Sequence, residues 1–179
     1  MSGKDEILLR PALPEDAGQI AAIYGEYVLH GLATFEETPP DAEEMARRMA
    51  QVKAQSYPWL VAGRAGRIVG YAYLSRFKER SAYRFTAEDS VYVAPACRGQ
   101  GIGSRLLAAL LEQASKSELH SIMAVIGDSD NRGSVALHAR HGFRHVGVAR
   151  ALGFKLGRWV DVVYMQKMLA NRPGRQEKP

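Results

Sequence analysis

The segment Arg98-Gly99-Gln100-Gly101-Ile102-Gly103-Ser104 joins a predicted strand to a predicted helix. The first N–H groups of a helix have no partner within the helix, and the helix dipole adds positive potential at the same place. Glycines let an oxygen-rich ligand approach the backbone, and Arg98 and Arg105 add charge. The segment therefore predicts an anion site, and a diphosphate is the guest that suits it best.

The residues on either side of this turn predict a strand, a helix and a second strand. Residues 87–93 alternate so that Glu88, Ser90 and Tyr92 share one face. After the turn, apolar residues recur at helical spacing up to residue 114, and residues 121–126 form an apolar run. The turn reads G-x-G-x-G and lies past mid-chain, so it matches neither the dinucleotide fingerprint nor the P-loop.

The rest of the chain predicts further strands and helices around this unit. A strand at 7–10 precedes two helices, the second capped by Asp41, and the runs 59–62 and 68–74 predict a hairpin. Behind the unit, a short helix at about 132–141 ends at Gly142, and strands are expected at 143–149 and 160–168. This order predicts a mixed α/β fold in one domain over residues 7–169, followed by a flexible basic tail at 170–179.

Composition excludes several classes of protein. No apolar run approaches the roughly 18 residues that a membrane span needs, and the polar N-terminal residues indicate a cytoplasmic protein without a leader. Cys97 is the only cysteine, so neither a disulfide nor a cysteine-rich metal site is expected. The net charge of +5 is attributed to the tail and to a polyanion site, and no nucleic-acid partner is expected.

A second motif gives the turn a context. The pattern Asn131-x-x-Ser134-x-x-Leu137-His138-x-x-x-Gly142-Phe143 follows the turn after the predicted helix and the strand at 121–126. Together with Arg98-x-x-Gly101-x-Gly103 it resembles the paired motifs of the GNAT superfamily of N-acetyltransferases. The resemblance implies the GNAT fold: a central mixed, largely antiparallel sheet with helices on both faces.

Further segments resemble one branch of that superfamily, the phosphinothricin and methionine sulfoximine acetyltransferases. These segments are Ala33-Thr34-Phe35-Glu36, Phe77-Lys78-Glu79-Arg80-Ser81-Ala82-Tyr83, Thr86-Ala87-Glu88, Ser90-Val91-Tyr92-Val93, Ala151-Leu152-Gly153-Phe154-Lys155 and Trp159-Val160-Asp161-Val162. The resemblance covers residues 7–169. It implies that the chain transfers an acetyl group from acetyl-CoA to the α-amine of a small amino-acid-like acceptor, and that it forms a homodimer.

The resemblance assigns the cofactor site to the strand before the turn, the turn itself and the second motif. The residues are Val91, Tyr92, Val93, Arg98, Gly99, Gln100, Gly101, Ile102, Gly103, Ser104 and Asn131. In the family, the pantetheine arm pairs with this strand, so N–H groups of residues 91–93 are also expected to polarise the thioester oxygen.

Two residues are candidates for proton transfer. Glu88 is expected to act as the general base, directly or through water, because enclosure raises the pKa of a carboxyl group toward the working range. His138 stands where many GNAT enzymes have an acidic tyrosine, so it is a candidate for aiding departure of the CoA thiolate. A surface glutamate and a core histidine are the alternative interpretations.

The acceptor is expected to bind at Phe35, Lys78, Arg80, Tyr83 and Glu88. Arg80 offers a planar fork for a carboxylate or phosphinate, Lys78 adds charge, and the two aromatic rings form walls. Other hypotheses are acetylation of a polyamine, an aminoglycoside or a protein N-terminus, a non-catalytic CoA-binding sensor, and a nucleic-acid-binding module. Polyamine and aminoglycoside sites need acidic pockets, which the basic pair Lys78 and Arg80 disfavours.

Overall fold

The computed structural model describes residues 6–170, in which seven strands form one sheet. The strands are β1 (Leu8–Pro11), β2 (Trp59–Arg64), β3 (Arg67–Arg76), β4 (Thr86–Val93), β5 (Ser121–Gly127), β6 (Arg144–Lys155) and β7 (Arg158–Met168). Their order across the sheet is β1-β2-β3-β4-β5-β7-β6, and among these residues β4 and β5 are the one parallel neighbouring pair. The predicted mixed, largely antiparallel sheet is confirmed.

Helices cover both faces of this sheet. They are α1 (Ala17–His30), α2 (Ala42–Ala54), α3 (Ile102–Ser115) and α4 (Arg132–Arg140). The Asp41 carboxylate accepts the Glu44 N–H at 2.8 Å, which confirms the predicted cap of α2. Helices α1 and α2 pack on an aromatic layer that includes Trp59 and Tyr71, whereas the leucines of α3 fill the core on the other face.

The parallel pair β4 and β5 separates part-way along its length. Pairing runs from Thr86 opposite Ser121 to Asp89 opposite Ala124, although β4 continues to Val93 and β5 continues to Gly127. The N-termini of α3 and α4 follow these two strands in the chain. The sheet therefore opens at its centre, directly in front of the two helix starts.

The structure corrects the predicted end of β6. The strand was expected over residues 143–149, but it continues to Lys155 after an irregularity between Ala149 and Gly153. The irregular segment is held from β7, where Asp161 accepts the Ala151 N–H at 2.9 Å and the Arg150 guanidinium at 2.6 Å. Ala151 has a φ of 47°, a left-handed conformation that side-chain pattern alone does not indicate. The predicted flexible tail lies outside the described residues beyond Ala170.

Candidate active site

The glycine-rich turn has the backbone that its sequence predicts. Gly99 and Gly101 have φ values of 74° and 76°, and Gly101 is the N-cap of α3. A Cβ on either glycine would meet nothing within 4 Å, so these glycines are required by conformation and by open approach, not by internal packing. Gly103 already lies inside α3, against Leu137 of α4. The turn thus presents the free N–H groups at the start of α3.

A cavity of about 920 Å³ runs from this turn into the opening between β4 and β5. Its lining contains most of the residues predicted to bind the cofactor: Val91, Tyr92, Val93, Arg98, Gly99, Gly101, Ile102, Gly103, Ser104 and Asn131. Gln100 is exposed outside this lining, where its side chain accepts from Arg64 at 2.7 Å and donates to the Ala96 carbonyl at 3.3 Å. The cavity thus joins the glycine-rich turn to the opening in the sheet, as a diphosphate with a long arm requires.

One edge of the cavity is the unpaired part of β4. The Ala94 N–H donates to the Val69 carbonyl at 2.9 Å, so the neighbouring N–H of Val93 points the other way, toward the opening. The Tyr27 hydroxyl lies there and donates to the Val93 carbonyl at 2.6 Å. The Arg98 guanidinium stacks on the Tyr27 ring, 4.8 Å from its centroid. Tyr27 therefore links the strand edge to the basic residue of the turn.

The start of α4 forms the opposite wall. The Asn131 side chain accepts the Ser134 N–H at 3.2 Å and so caps α4, while the residue also lines the cavity. The hydroxyl oxygen of Ser104, at the start of α3, lies 2.7 Å from Nε2 of His141 at the end of α4. The two helices are thus tied together on either side of the cavity mouth.

Glu88 lies on the α1 and α2 side of β4, in a half-buried position. Glu88 shares a strand face with Ser90, and Ser90 lies opposite Tyr73 of β3. Tyr73 packs against the aromatic layer, so Glu88 lies next to that layer. Burial, and secondarily the charge of Asp89, raise the pKa of Glu88 to about 7, whereas Lys78 acts in the opposite direction. A carboxyl group with this pKa changes its protonation state near neutral pH, as a general base must.

His138 is buried, on the α3 and α4 side of the sheet. Its Nδ1 lies 2.8 Å from the Ser134 carbonyl oxygen and its Nε2 lies 2.8 Å from Oδ2 of Asp89. Burial lowers the pKa of His138, but the hydrogen bond and charge of Asp89 and the Ser134 carbonyl raise it more, so the net shift is upward. Two acceptors around one ring match a doubly protonated imidazole.

The residues predicted to hold the acceptor are placed in two separate areas. Lys78, Arg80 and Tyr83 lie exposed on the segment between β3 and β4, where the Lys78 ammonium is 5.1 Å from the Phe77 ring centroid. Phe35 lies on Gly153 of β6, so closely that a Cβ there would clash with its ring. The segment between β3 and β4 leads into the strand that carries Glu88.

Among the cavity-lining residues that were not predicted as site residues, Asp89 and Tyr27 make informative polar contacts. Asp89 shares a strand face with Val91 and Val93, and a carboxylate on such an apolar face is a signal that sequence inspection can find. Tyr27 belongs to the apolar stripe of α1, and its position in the stripe does not distinguish it from a core residue. Its contact with Val93 is known only from the fold.

Known proteins share the sequence pattern and the fold of this chain. A sequence model described as the acetyltransferase (GNAT) domain matches residues 9–164. The chain belongs to the GNAT acetyltransferase family. Among the GNAT relatives, a phosphinothricin N-acetyltransferase from Alcaligenes faecalis is 47% identical over 161 residues, which cover 90% of this chain and 82% of the relative.

Two other GNAT proteins extend the comparison. An L-methionine sulfoximine/L-methionine sulfone acetyltransferase from Pseudomonas aeruginosa is 39% identical, covering 88% of this chain and 92% of its own. The crystal structure of a phosphinothricin acetyltransferase from Sinorhizobium meliloti in complex with AcCoA superposes with a TM-score of 0.88 at 44% identity, covering 91% of this chain and 88% of that one. The predicted GNAT fold and N-acetyltransferase class are confirmed.

Two further features concern other kinds of site. Within residues 6–170, no three or more histidine, cysteine or acidic side chains are grouped so that they could hold a metal ion. None of the helices in that range is both long and apolar enough to cross a membrane.

Proposed function

We propose that this GNAT enzyme transfers the acetyl group of acetyl-CoA to the α-amine of a small amino-acid-like acceptor of the phosphinothricin, methionine sulfoximine or methionine sulfone type. The observation that carries the proposal is the half-buried Glu88, with a pKa of about 7, on the strand whose free edge lines the 920 Å³ cavity. The relatives named for these acceptors support the substrate class.

The residues of the cavity fit acetyl-CoA. Free N–H groups at the start of α3 and the guanidinium of Arg98 suit the diphosphate of acetyl-CoA. Gly99 and Gly101 have no side chains, so the diphosphate can approach these N–H groups closely. The Val91 N–H, on the β5 side of β4, suits a pantetheine amide or the thioester oxygen, and the Val93 N–H on the same side donates to the Tyr27 hydroxyl at 3.4 Å. Asn131, at the start of α4, bounds the space for the pantetheine arm on that side of the cavity.

Glu88 supplies the base in this proposal. An α-amine is largely protonated near neutral pH and must lose a proton before it attacks the thioester. The carboxylate of Glu88, half-buried and close to its pKa at neutral pH, accepts that proton directly or through a water. His138, at the other side of the strand, acts on the leaving thiolate.

Arg80 gives the proposal its substrate class. A guanidinium holds a carboxylate or phosphinate by two parallel hydrogen bonds, and Lys78 adds a second positive charge on the same segment. Tyr83, whose ring contacts Phe77 at 6.0 Å between centroids, provides an apolar wall. Such a set suits an acceptor that carries both a free amine and an anion.

We also propose that the enzyme acts as a homodimer. Near its turn, the hairpin of β6 and β7 exposes four large apolar side chains: Leu152, Phe154, Leu156 and Trp159. A second copy that covers this end of the hairpin would remove them from water, and Phe35 packs beside them on Gly153. Dimerisation thereby places Phe35 where it can contribute to an acceptor pocket shared by two chains. A cytoplasmic location stays a prediction.

An amine panel tests the function. Release of CoA thiol is followed with phosphinothricin, methionine sulfoximine, methionine sulfone, spermidine and a short peptide as acceptors. The proposal expects turnover with the first three and little with spermidine or the peptide. Turnover restricted to spermidine or to the peptide would replace the substrate class, and binding of acetyl-CoA without turnover of any amine would indicate a sensor.

A further inference from the structure

A buried carboxylate lines the cavity at the point where β4 and β5 separate. Asp89 is the last residue of β4 that pairs with β5, and both Asp89 and His138 line the cavity. Val93 lies four positions after Asp89, which corresponds to about 13 Å of strand. An arm that extends from a diphosphate at the turn along β4 therefore runs toward Asp89 with its acyl group.

The hydrogen bonds of Asp89 are incomplete, unlike those of a second buried aspartate. Asp16 accepts at both oxygens, from Arg10 at 2.6 and 2.8 Å and from the Leu13 N–H at 2.8 Å. Asp89 uses Oδ2 for His138, whereas Oδ1 is buried with no hydrogen-bond partner among the described residues. An ion pair kept only for stability gains most when all its polar atoms are paired, so the Asp89 arrangement costs free energy of folding.

We propose that Asp89 is a positioning residue for acetyl transfer, which holds His138 as an imidazolium at the acyl end of the cavity. The inference rests on the proposed binding of acetyl-CoA in that cavity. When the C–S bond of the thioester breaks, its electron pair goes to sulfur and creates a thiolate. A fixed cation in an enclosed site stabilises that negative charge far better than water-exposed charge does.

In this arrangement the imidazolium acts by its charge and keeps both protons. Its two N–H groups remain bonded to the Ser134 carbonyl and to Asp89. The other titratable or charged groups near this end of α4 include Arg140, His141, which follows the helix, and Lys167 of β7, whose ammonium donates to the His141 carbonyl at 2.8 Å. Asp89 is the carboxylate bonded to His138, and its hydrogen bond and charge favour the protonated ring.

The variant Asp89→Asn separates charge from packing. An asparagine keeps the shape of the side chain, and its amide can donate to Nε2 of a neutral His138, so the fold is retained while the cation is lost. We expect kcat to fall about 10- to 100-fold, with the KM for acetyl-CoA within about two-fold of wild type. Because activity needs the protonated ring, its loss at high pH should also begin at a lower pH in this variant.

The state of the ring is read directly by nitrogen NMR of histidine-labelled protein with CoA bound, near pH 7. We expect both His138 nitrogens to be protonated in the wild type and one in Asp89→Asn. The matched control is Asp16→Asn, which removes the ion pair of another buried aspartate and should lower the melting temperature while leaving the His138 signals and the pH profile of kcat unchanged.

Two results would overturn the inference: a neutral His138 in the wild-type protein near pH 7, or a wild-type kcat and pH profile in folded Asp89→Asn. If that variant does not fold, the wild-type spectrum alone still decides. The spectrum does not depend on turnover, so failure of every amine in the panel would count against the proposed function and not against the charge state of His138.

Discussion

Glu88 is the proposed base, and its raised pKa also affects the stability of the fold. Its carboxyl group is half-buried on β4, and burial is the main cause of its raised pKa of about 7. The same shift governs two quantities, because a base must be ionised to act, while an ionised group in this position is unfavourable for the folded state.

The first prediction concerns activity. Glu88→Gln removes the base and keeps the size of the side chain, so kcat should fall by about 10² to 10⁴ while the affinity for acetyl-CoA is retained. In the wild type, kcat should rise with pH through about 7, as Glu88 loses its proton. Steady-state kinetics and calorimetry over this pH range check both statements. Near-normal turnover of the variant at every pH would remove Glu88 from the mechanism.

The same substitution should stabilise the fold. Because the pKa of Glu88 in the folded protein is above that of the unfolded chain, stability decreases as pH rises from about 4.5 to about 7 and then levels off. Glu88→Gln abolishes that loss, which is on the order of 1 to 3 kcal/mol above neutral pH. Its melting temperature should exceed that of wild type at pH 8 and converge with it at pH 4.5. Equal differences at both pH values would contradict the assignment.

The sequence indicated Glu88 and His138 as candidate residues, but it did not indicate Asp89 or the contact between Asp89 and His138. Glu88 has a recognisable context in the residues around it, whereas Asp89 and His138 are 49 positions apart. No periodicity links them, because the contact depends on how α4 packs against β4. For the same reason the link between Tyr27 and Val93, 66 positions apart, is a property of the fold.

The glycine-rich turn, at the scale of a single element, gives a second prediction with a close control. Gly101 and Gly66 have the same φ of 76°, and a Cβ on either meets nothing within 4 Å. Valine at either position should therefore cause similar backbone strain. Only Gly101→Val should also obstruct the anion site, so calorimetry should show acetyl-CoA affinity reduced at least about 10-fold in this variant and unchanged in Gly66→Val. Equal affinities in the two folded variants would contradict the site.

A third prediction concerns the segment between α1 and α2. The buried ammonium of Lys155 donates to the Thr34 carbonyl at 2.8 Å and to the Tyr27 carbonyl at 3.3 Å. Lys155→Met leaves both carbonyls without this donor, which should cost about 1 to 3 kcal/mol and displace Phe35. Thermal melting should show the loss, and the KM for the acceptor should rise. Lys167→Met, which removes one contact at the end of α4, should leave that KM unchanged.

Most elements could be predicted because each has local signals. Asp41 indicates the start of α2, and the leucines at helical spacing after Gly103 indicate α3. The extension of β6 could not be predicted, since Ala151 is held in its left-handed conformation by Asp161, ten residues later on the partner strand. The local sequence pattern therefore does not indicate the C-terminal part of β6, because that part depends on a side chain of β7.

Across the described residues 6–170, large exposed apolar side chains are concentrated on the hairpin of β6 and β7, and this gives a fourth prediction. Trp159 is 65% exposed on that hairpin, and Leu8 is 66% exposed on β1, at the other edge of the sheet. If the hairpin is the dimer interface, Trp159→Glu should yield a monomer in light scattering and Leu8→Glu should remain dimeric. A dimeric Trp159→Glu protein would exclude this interface.

The central claim is that the acceptor offers a free amine and an anion to the site. The Arg80 guanidinium is satisfied by a carboxylate, whereas a carboxamide forfeits the charge-assisted pair of hydrogen bonds. The most direct measurement is kcat/KM of the wild-type enzyme for methionine sulfone and for its carboxamide, side by side. The account predicts that the carboxamide is worse by about 1.5 to 3 kcal/mol in transition-state free energy, which is roughly 10- to 150-fold. Equal specificity constants for the two compounds would contradict it.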